Sequence, residues 1–133
     1  MEIKRNEATI NRPDGDRVID APFVFVDIPA FIEQLKKEEA WEKNGRNGIT
    51  VFKSTGITQV ITVLKSGEVI KENEVEGFVS IQLIKGEASL ITTEGDIPLT
   101  ESQMVTLHPH VVHSFKTHSD VVILITTLSH AEV

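Results

Sequence analysis

Four of the five histidines lie within eleven consecutive residues, and imidazole nitrogens grouped in this way can bind zinc or nickel. They are His108, His110, His113 and His118. His108 and His110 flank Pro109 at an expected turn, and His118 follows in another loop, so we expect these three side chains to point into solvent. The cluster therefore predicts adventitious metal binding ahead of a native metal site, which needs a nearly closed ligand set with supporting partners.

A second group of candidate ligands surrounds Asn73, where Glu72, Glu74 and Glu76 alternate along the chain. A shift of one residue in strand register would bring Glu72 and Glu74 into a common, oxygen-rich site. The alternative, which we favour, is an acidic edge strand in solvent, whose charges discourage pairing with another chain.

His113 is the side chain best suited to a function. Its imidazole could bind a metal, anchor an anionic or hydroxylated ligand, or act as a general base near neutral pH. The alternative is a structural histidine that is hydrogen-bonded to Asn73 or to water. Ser114 follows His113 directly, but adjacent strand residues point to opposite faces, so the two do not form a nucleophile and base pair.

The composition describes one globular domain. The chain has 133 residues, 40% apolar and 25% charged, which excludes a disordered chain, a fibrous repeat and a membrane protein. Its net charge is −7 and its basic residues are scattered, so we expect no nucleic-acid partner. The absence of cysteine excludes disulfides and a cysteine nucleophile. With neither a signal-like N-terminus nor an apolar stretch long enough to span a membrane, the expected location is cytoplasmic.

One segment predicts a helix, because its apolar residues recur at helical spacing: Ile28, Phe31, Ile32 and Leu35. Asp27 is a suitable N-cap, Pro29 suits the first turn and Gly45 suits the C-terminal stop. We expect a helix over 29–44, with a break after Lys37 as an alternative. This amphipathic segment, which includes Trp41, could cover a barrel mouth as a lid, but such helices more often pack on their own sheet or on a partner subunit.

The rest of the chain predicts strands. Residues 12–16 form a turn cluster, and 23–26 have the aromatic and β-branched content of a short strand. From residue 48 onward the pattern is entirely β, with glycine-containing turns between segments. The predicted strands cover 49–53, 57–65, 78–85, 88–93, 96–99, 104–107, 113–117 and 121–128. Short, regularly spaced strands favour a sandwich or barrel over βαβ units.

Residues 57–128 resemble a small single-domain cupin of the RmlC-like type. The first cupin motif runs from a glycine through His-x-His and a glutamate to a closing glycine, and Gly67 and Gly86 occupy the two glycine positions at the full spacing. His113 fits the histidine of the second motif. The resemblance implies an all-β, cupin-type double-stranded β-helix, or jelly-roll barrel, over 48–128, with an N-terminal strand and helix arm over 1–47. It also implies a homodimer.

The metal ligands of the cupin motif are mostly replaced here. Asn73, Val75 and Val79 occupy the two histidine positions and the glutamate position, so His113 is the one family ligand of four that is present. A valine offers no donor atom and Asn73 offers only a neutral carbonyl. The resemblance therefore implies a cupin with a degenerate metal motif and no cofactor. The alternative is a divalent metal such as Zn, Ni, Fe or Mn, held by His113 with Asn73.

Strand alternation directs Val79, Ile81 and Leu83 into the barrel and Ser80 and Gln82 away from it. We thus expect a hydrophobic interior in which His113 and Asn73 are isolated polar groups. The predicted ligand-binding residues are His113, Asn73, Val75, Val79, Ile81 and Leu83. Pockets of this kind bind small, largely apolar molecules through a few polar groups, so the predicted function is metal-independent binding of such a molecule.

Two other functions stay open at this point. The first is a metal-dependent cupin enzyme of the dioxygenase or isomerase kind, in which His113 converges on one ion with some of Asn73, Glu72, Glu74, His108 and His110. The second is a non-catalytic dimeric scaffold, whose interior would be filled by side chains. One barrel fold hosts many unrelated chemistries, so the fold does not choose among the three.

Overall fold

The computed structural model describes residues 1–129, except the side chain of Glu72. This part of the chain contains two short helices and eleven strands. The N-terminal arm contains β1 (Lys4–Asn6), β2 (Arg17–Asp20), α1 (Ile28–Lys37) and α2 (Glu39–Asn44). The strands that follow are β3 (Arg46–Ser54), β4 (Ile57–Leu64), β5 (Val69–Asn73), β6 (Phe78–Lys85), β7 (Ala88–Thr92), β8 (Gly95–Leu99), β9 (Met104–Leu107), β10 (His113–Thr117) and β11 (Val121–Leu128).

These nine strands of the described chain form two antiparallel sheets. One sheet has the order β3-β4-β11-β6-β9 and the other has the order β5-β10-β7-β8. Because β5 follows β4 and β9 follows β8 after short connections, β3, β4 and β5 lie on one side of the stack and β8 and β9 at the opposite edge. β1 and β2 pair separately as a small hairpin. The predicted all-β architecture is confirmed.

The helical segment matches its local signals. Asp27 caps α1 by accepting a hydrogen bond from the Ala30 backbone N–H at 3.2 Å. Glu38 is extended and separates α1 from α2, so the break after Lys37 is confirmed. Gly45 ends α2 in the left-handed region at φ 70°, where a residue without a Cβ is favoured.

Two hydrophobic cores lie on opposite faces of the five-stranded sheet. The outer core packs both helices against β3 and β4, with Leu35 fully buried, and it comprises Ile32, Leu35, Trp41, Ile49, Val51, Ile61, Val63 and Val122. The inner core lies between the two sheets and comprises Leu64, Val79, Ile81, Leu83, Ala88, Leu90, Leu99, Leu107, Phe115, Val121 and Ile123. The helices therefore pack on their own sheet and do not form a lid.

Within the arm, a polar network joins the segment between β1 and β2 to the helices, and it also reaches β3. The Arg12 guanidinium contacts the Glu38 carboxylate at 2.9 Å and donates to the Asn47 side-chain oxygen at 3.1 Å and to the Gly48 carbonyl at 2.9 Å. Asn47 in turn donates to Glu38 and to the Leu35 carbonyl, both at 2.9 Å. The side chains of Arg12 and Glu38 are only 24% and 12% exposed, so this pair is partly shielded from water.

The prediction of a strand over 23–26 is wrong. This segment has no strand partner among the described residues, and Phe23 and Phe25 are each 87% exposed. β-propensity reflects packing against neighbouring strands, so suitable residues form no strand where a partner is missing. Conversely, β1, β2 and β5 were not predicted, because β1 is polar and β2 and β5 each have only two adjacent apolar residues and no alternation. Neither helix in residues 1–129 has the length and hydrophobicity needed to cross a bilayer.

Candidate functional site

The register of the five-stranded sheet shows which side chains face the interior. Val79, Ile81 and Leu83 belong to the inner core, as alternation predicted. Residues directly opposite one another in an antiparallel pair share a face. Through β11, this rule places Thr58, Val60 and Thr62 of β4 on the inward face, and Thr50 of β3 follows because it pairs with Val60.

Along β4, the outward side chains are more deeply buried than most of the inward ones. Its outward residues Ile61 and Val63 are fully buried beneath the helices, whereas its inward residues Thr58, Val60 and Thr62 keep accessible surface. The sheets pack tightly where β6, β9 and β11 meet β7, β8 and β10, and β4 contributes only Leu64 to that core. The interior is therefore accessible at the β3–β4 edge.

We call this accessible part of the interior the inner cleft, lined by Thr50, Val60 and Thr62 on one sheet and by Ile70 and His113 on the other. His113 faces inward because it shares its strand face with Phe115, which lies in the inner core, and Ile70 pairs with Phe115. Val60, Thr62, Thr50 and Ile70 are all partly exposed. The cleft thus combines two apolar side chains with two hydroxyls and one imidazole.

His113 is the most buried polar side chain of the cleft, at 5% exposed. Its Nδ1 lies 2.8 Å from the Val111 carbonyl oxygen, and a carbonyl only accepts, so Nδ1 must donate. In the neutral imidazole the lone pair is then on Nε2, which is the atom able to accept a hydrogen bond or bind a metal.

Nε2 of His113 keeps a small accessible surface. Nε2 has no hydrogen-bond partner within the described residues. Every side-chain nitrogen or oxygen that is fully buried there has a partner. Nε2 must therefore hold part of the small accessible surface of this residue. An aligned acceptor in a mostly buried setting can orient a ligand.

The other predicted ligand-binding residues take different positions. Asn73 is the strand neighbour of His113 in β5, but its side chain is exposed, and His113 bonds Val111 and not Asn73. Val75 packs partly buried against the inner core. Val79 and Ile81 are 4% exposed and Leu83 is 0% exposed, so these three belong to the tightly packed half. Their contact with a ligand stays a prediction.

The three other histidines within residues 1–129 do not line the cleft. His108, His110 and His118 are exposed, as expected. His110 Nδ1 lies 3.1 Å from Glu74 Oε1, His118 Nε2 lies 2.8 Å from Ser89 Oγ, and the His108 ring packs against Phe78 with centroids 5.0 Å apart. Across the described side chains no three histidine, aspartate or glutamate groups come close enough to hold a metal. The Glu72 side chain lies outside the description.

Sequence reasoning missed the inward threonines of β3 and β4. The available signal was the alternation in β4, where Thr58, Val60 and Thr62 interleave with Ile61 and Val63. Read by itself, this alternation places Ile61 and Val63 inside and the threonines outside. The helices reverse that reading, because they cover the more apolar face.

Comparisons with known proteins identify the architecture. No family model and no curated protein matches the chain. A solved cupin superfamily protein from Desulfitobacterium hafniense is 20% identical, with a TM-score of 0.63 over 65% of this chain and 80% of that one. A cupin-2 domain containing protein from Shewanella frigidimarina is 9% identical, with a TM-score of 0.64 over 77% and 93%. An RmlC-like cupin protein from Desulfovibrio desulfuricans is 19% identical, with a TM-score of 0.57 over 62% and 81%. The chain has the cupin fold.

The metal site that the cupin motif encodes does not fit the residues of this cupin barrel. Of its four positions, two hold Val75 and Val79, which have no donor atom, and one holds the exposed side chain of Asn73. His113 alone retains a ligand atom directed into the barrel. A single imidazole does not supply the three or four donors of a catalytic metal site.

Proposed function

We propose that this cupin binds a small, largely apolar molecule in its inner cleft and that it does so without a metal. The observation that carries this proposal is His113, which is almost fully buried but leaves Nε2 accessible in a cleft that also contains the apolar side chains of Val60 and Ile70. Sites for small molecules are typically concave and apolar, with a few convergent polar groups that fix orientation.

His113 would supply the polar contact. The Val111 carbonyl holds the neutral ring with its lone pair on Nε2, so the ligand group at this point is a hydrogen-bond donor, an O–H or N–H. A neutral hydrogen bond contributes about 0.5–1.5 kcal/mol, which corresponds to an affinity change of roughly twofold to twelvefold. Val60 and Ile70 would contribute the apolar contacts.

A fragment screen observed by backbone amide NMR tests this proposal. Fragments with an apolar body and one donor should shift the amides of Val60, Thr62 and His113, and His113→Ala should weaken them by about threefold to tenfold. His108→Ala is the matched control, because His108 is exposed and lies outside the cleft, and it should change affinity by less than twofold. Equal affinity for His113→Ala and wild type would show that His113 is not the contact.

The metal-dependent enzyme is the competing function, and elemental analysis of untagged protein separates the two. A metal-dependent enzyme needs other donor groups to converge on His113. Glu74 instead lies within hydrogen-bond distance of His110, and the His108 ring packs on Phe78. Stoichiometric metal in wild type that disappears in His113→Ala would favour the enzyme. Metal that persists in His113→Ala would point to the exposed histidines.

We also propose that the protein is a homodimer whose second copy covers the apolar surface of the arm. Ile3, Phe23 and Phe25 are 63%, 87% and 87% exposed, beside an apolar groove of about 340 Å³. Two exposed phenylalanines can bury about 300–500 Å², a large part of the roughly 800 Å² per partner of a stable interface. Arg17 is the one charged residue along this groove, and it donates hydrogen bonds to the Thr50 and Gly15 carbonyls. The groove therefore has no carboxylate that would repel a second negatively charged copy.

A further inference from the structure

The inward face of the five-stranded sheet contributes two hydroxyl groups to the inner cleft, whereas His113 belongs to the other sheet. Thr50 on β3 and Thr62 on β4 both face inward, and they are diagonal neighbours because Thr50 pairs with Val60 and Gly48 pairs with Thr62. Neither side chain has a hydrogen-bond partner within the described residues, and both are partly exposed. Since no buried oxygen there lacks a partner, both hydroxyls reach the accessible space.

Gly48 keeps the Thr62 hydroxyl uncovered. A Cβ at position 48 would lie 3.1 Å from Thr62 Oγ1 and 3.6 Å from Val60 Cγ1. Gly48 has no left-handed φ, so its backbone does not require a glycine. A glycine within a strand weakens it and often marks a point of close approach by a ligand.

The position of Thr62 is unusual for a hydroxyl. Its strand partner on β11 is Ile123, which is 1% exposed and belongs to the inner core. An interior that only had to be packed would favour an apolar side chain here, since polar groups inside proteins are normally hydrogen-bonded. A hydroxyl that is inward, accessible and unpaired leaves a hydrogen-bonding group that a ligand in the cleft can reach.

We propose that the ligand of the inner cleft is a small diol, with two hydroxyl groups on an apolar body. One hydroxyl donates to Nε2 of His113, and the other bonds the Thr62 and Thr50 hydroxyls, which can donate as well as accept. This inference rests on the proposed function, and it adds the second polar contact and the separation of the two polar groups on opposite sheets.

A series of three ring compounds tests the inference. Resorcinol has two hydroxyls, 3-methoxyphenol has one, and 1,3-dimethoxybenzene has none, on the same ring. Titration followed by amide NMR should give the tightest binding for resorcinol, with each methylation weakening it by about threefold to tenfold. In Thr62→Val, resorcinol should fall to the affinity of 3-methoxyphenol. Gly48→Ala should do the same, because its Cβ crowds the hydroxyl without removing it.

The controls separate the two proposals. Thr106→Val is the matched substitution at an exposed position of β9 and should leave all three affinities unchanged. If none of the compounds shifts amides of the cleft, the proposed small-molecule function fails. If all three bind with equal affinity, or if Thr62→Val leaves the preference for resorcinol intact, binding stands and the diol inference is overturned.

Discussion

The junction of α1 and α2 offers the sharpest test of how the arm is attached. Glu38 accepts hydrogen bonds from Arg12, Asn47 and Gln34, at distances between 2.9 and 3.3 Å. Glu38→Gln keeps the length and shape of the side chain but removes its charge. We expect this substitution to weaken the contact between the arm and β3, because the Arg12 guanidinium then loses its ionic partner.

The magnitude follows from the exposure of the pair. A hydrogen bond to a charged group contributes about 1.5–3 kcal/mol, whereas exposed ion pairs contribute roughly 0–1 kcal/mol. The side chains of Arg12 and Glu38 are 24% and 12% exposed, which places them nearer the first case. We therefore expect Glu38→Gln to lower the free energy of unfolding by about 2 kcal/mol at pH 7.

Urea unfolding followed by tryptophan fluorescence is the assay. Trp41 is the one tryptophan of the chain and is 7% exposed in the outer core beside both helices. Glu33→Gln is the matched control, since Glu33 forms an exposed pair with Lys37, with side chains 69% and 72% exposed. That variant should leave the free energy of unfolding almost unchanged, because solvent screens an exposed ion pair.

The loss should also depend on pH. Burial raises the pKa of Glu38, but the hydrogen bonds from Asn47, Arg12 and Gln34 and the Arg12 charge outweigh burial, so the pKa lies below its ordinary 4.5. A lowered folded-state pKa stabilises the protein above the unfolded-state pKa, and this contribution is lost as pH falls through the folded-state value. The gap between wild type and Glu38→Gln should therefore shrink below about pH 4.5. A gap equal to that of Glu33→Gln, or one unchanged in acid, would refute the reasoning.

Three further predictions concern the arm and its surroundings. Gly45→Ala should cost about 1 kcal/mol in urea unfolding, because Gly45 is left-handed and a Cβ there would lie 2.9 Å from Glu68 Oε1; an unchanged midpoint would contradict this. Leu35→Ala should cost about 2–5 kcal/mol, since Leu35 is 0% exposed, and a loss under about 1 kcal/mol would mean that α1 is loosely packed. Phe23→Ser combined with Phe25→Ser should convert the proposed dimer to a monomer in light scattering while leaving the unfolding of the monomer within about 0.5 kcal/mol; a monomeric wild type would remove the dimer.

The elements that could be predicted are those with strong local signals. The helical segment and both of its caps follow from apolar spacing and from Asp27 and Gly45, whereas the break after Lys37 was only an alternative to one continuous helix. The strands with alternating or continuous apolar residues were also predicted, four of them with the observed bounds. β5 was missed because only Val69 and Ile70 are apolar, and its strand conformation comes from pairing with β10.

The candidate site divides in the same way. The spacing from Gly67 and Gly86 identifies the replaced metal positions, and alternation identifies Val79, Ile81 and Leu83 as inward. Neither the glycine spacing nor the strand alternation shows that Val79, Ile81 and Leu83 lie in the tightly packed half of the interior. That outcome depends on how closely the two sheets approach at each edge, which is a property of the assembled stack.

By itself the sequence determined the all-β class and the helix, because each depends on residue types at short separations. Only the tertiary structure decided which face of β4 is the interior. The helices bury Ile61 and Val63 on the outer face, so Thr62 lies on the inward face of the sheet. Apolar area is buried wherever a covering element is available, and local alternation cannot show which face that element will cover.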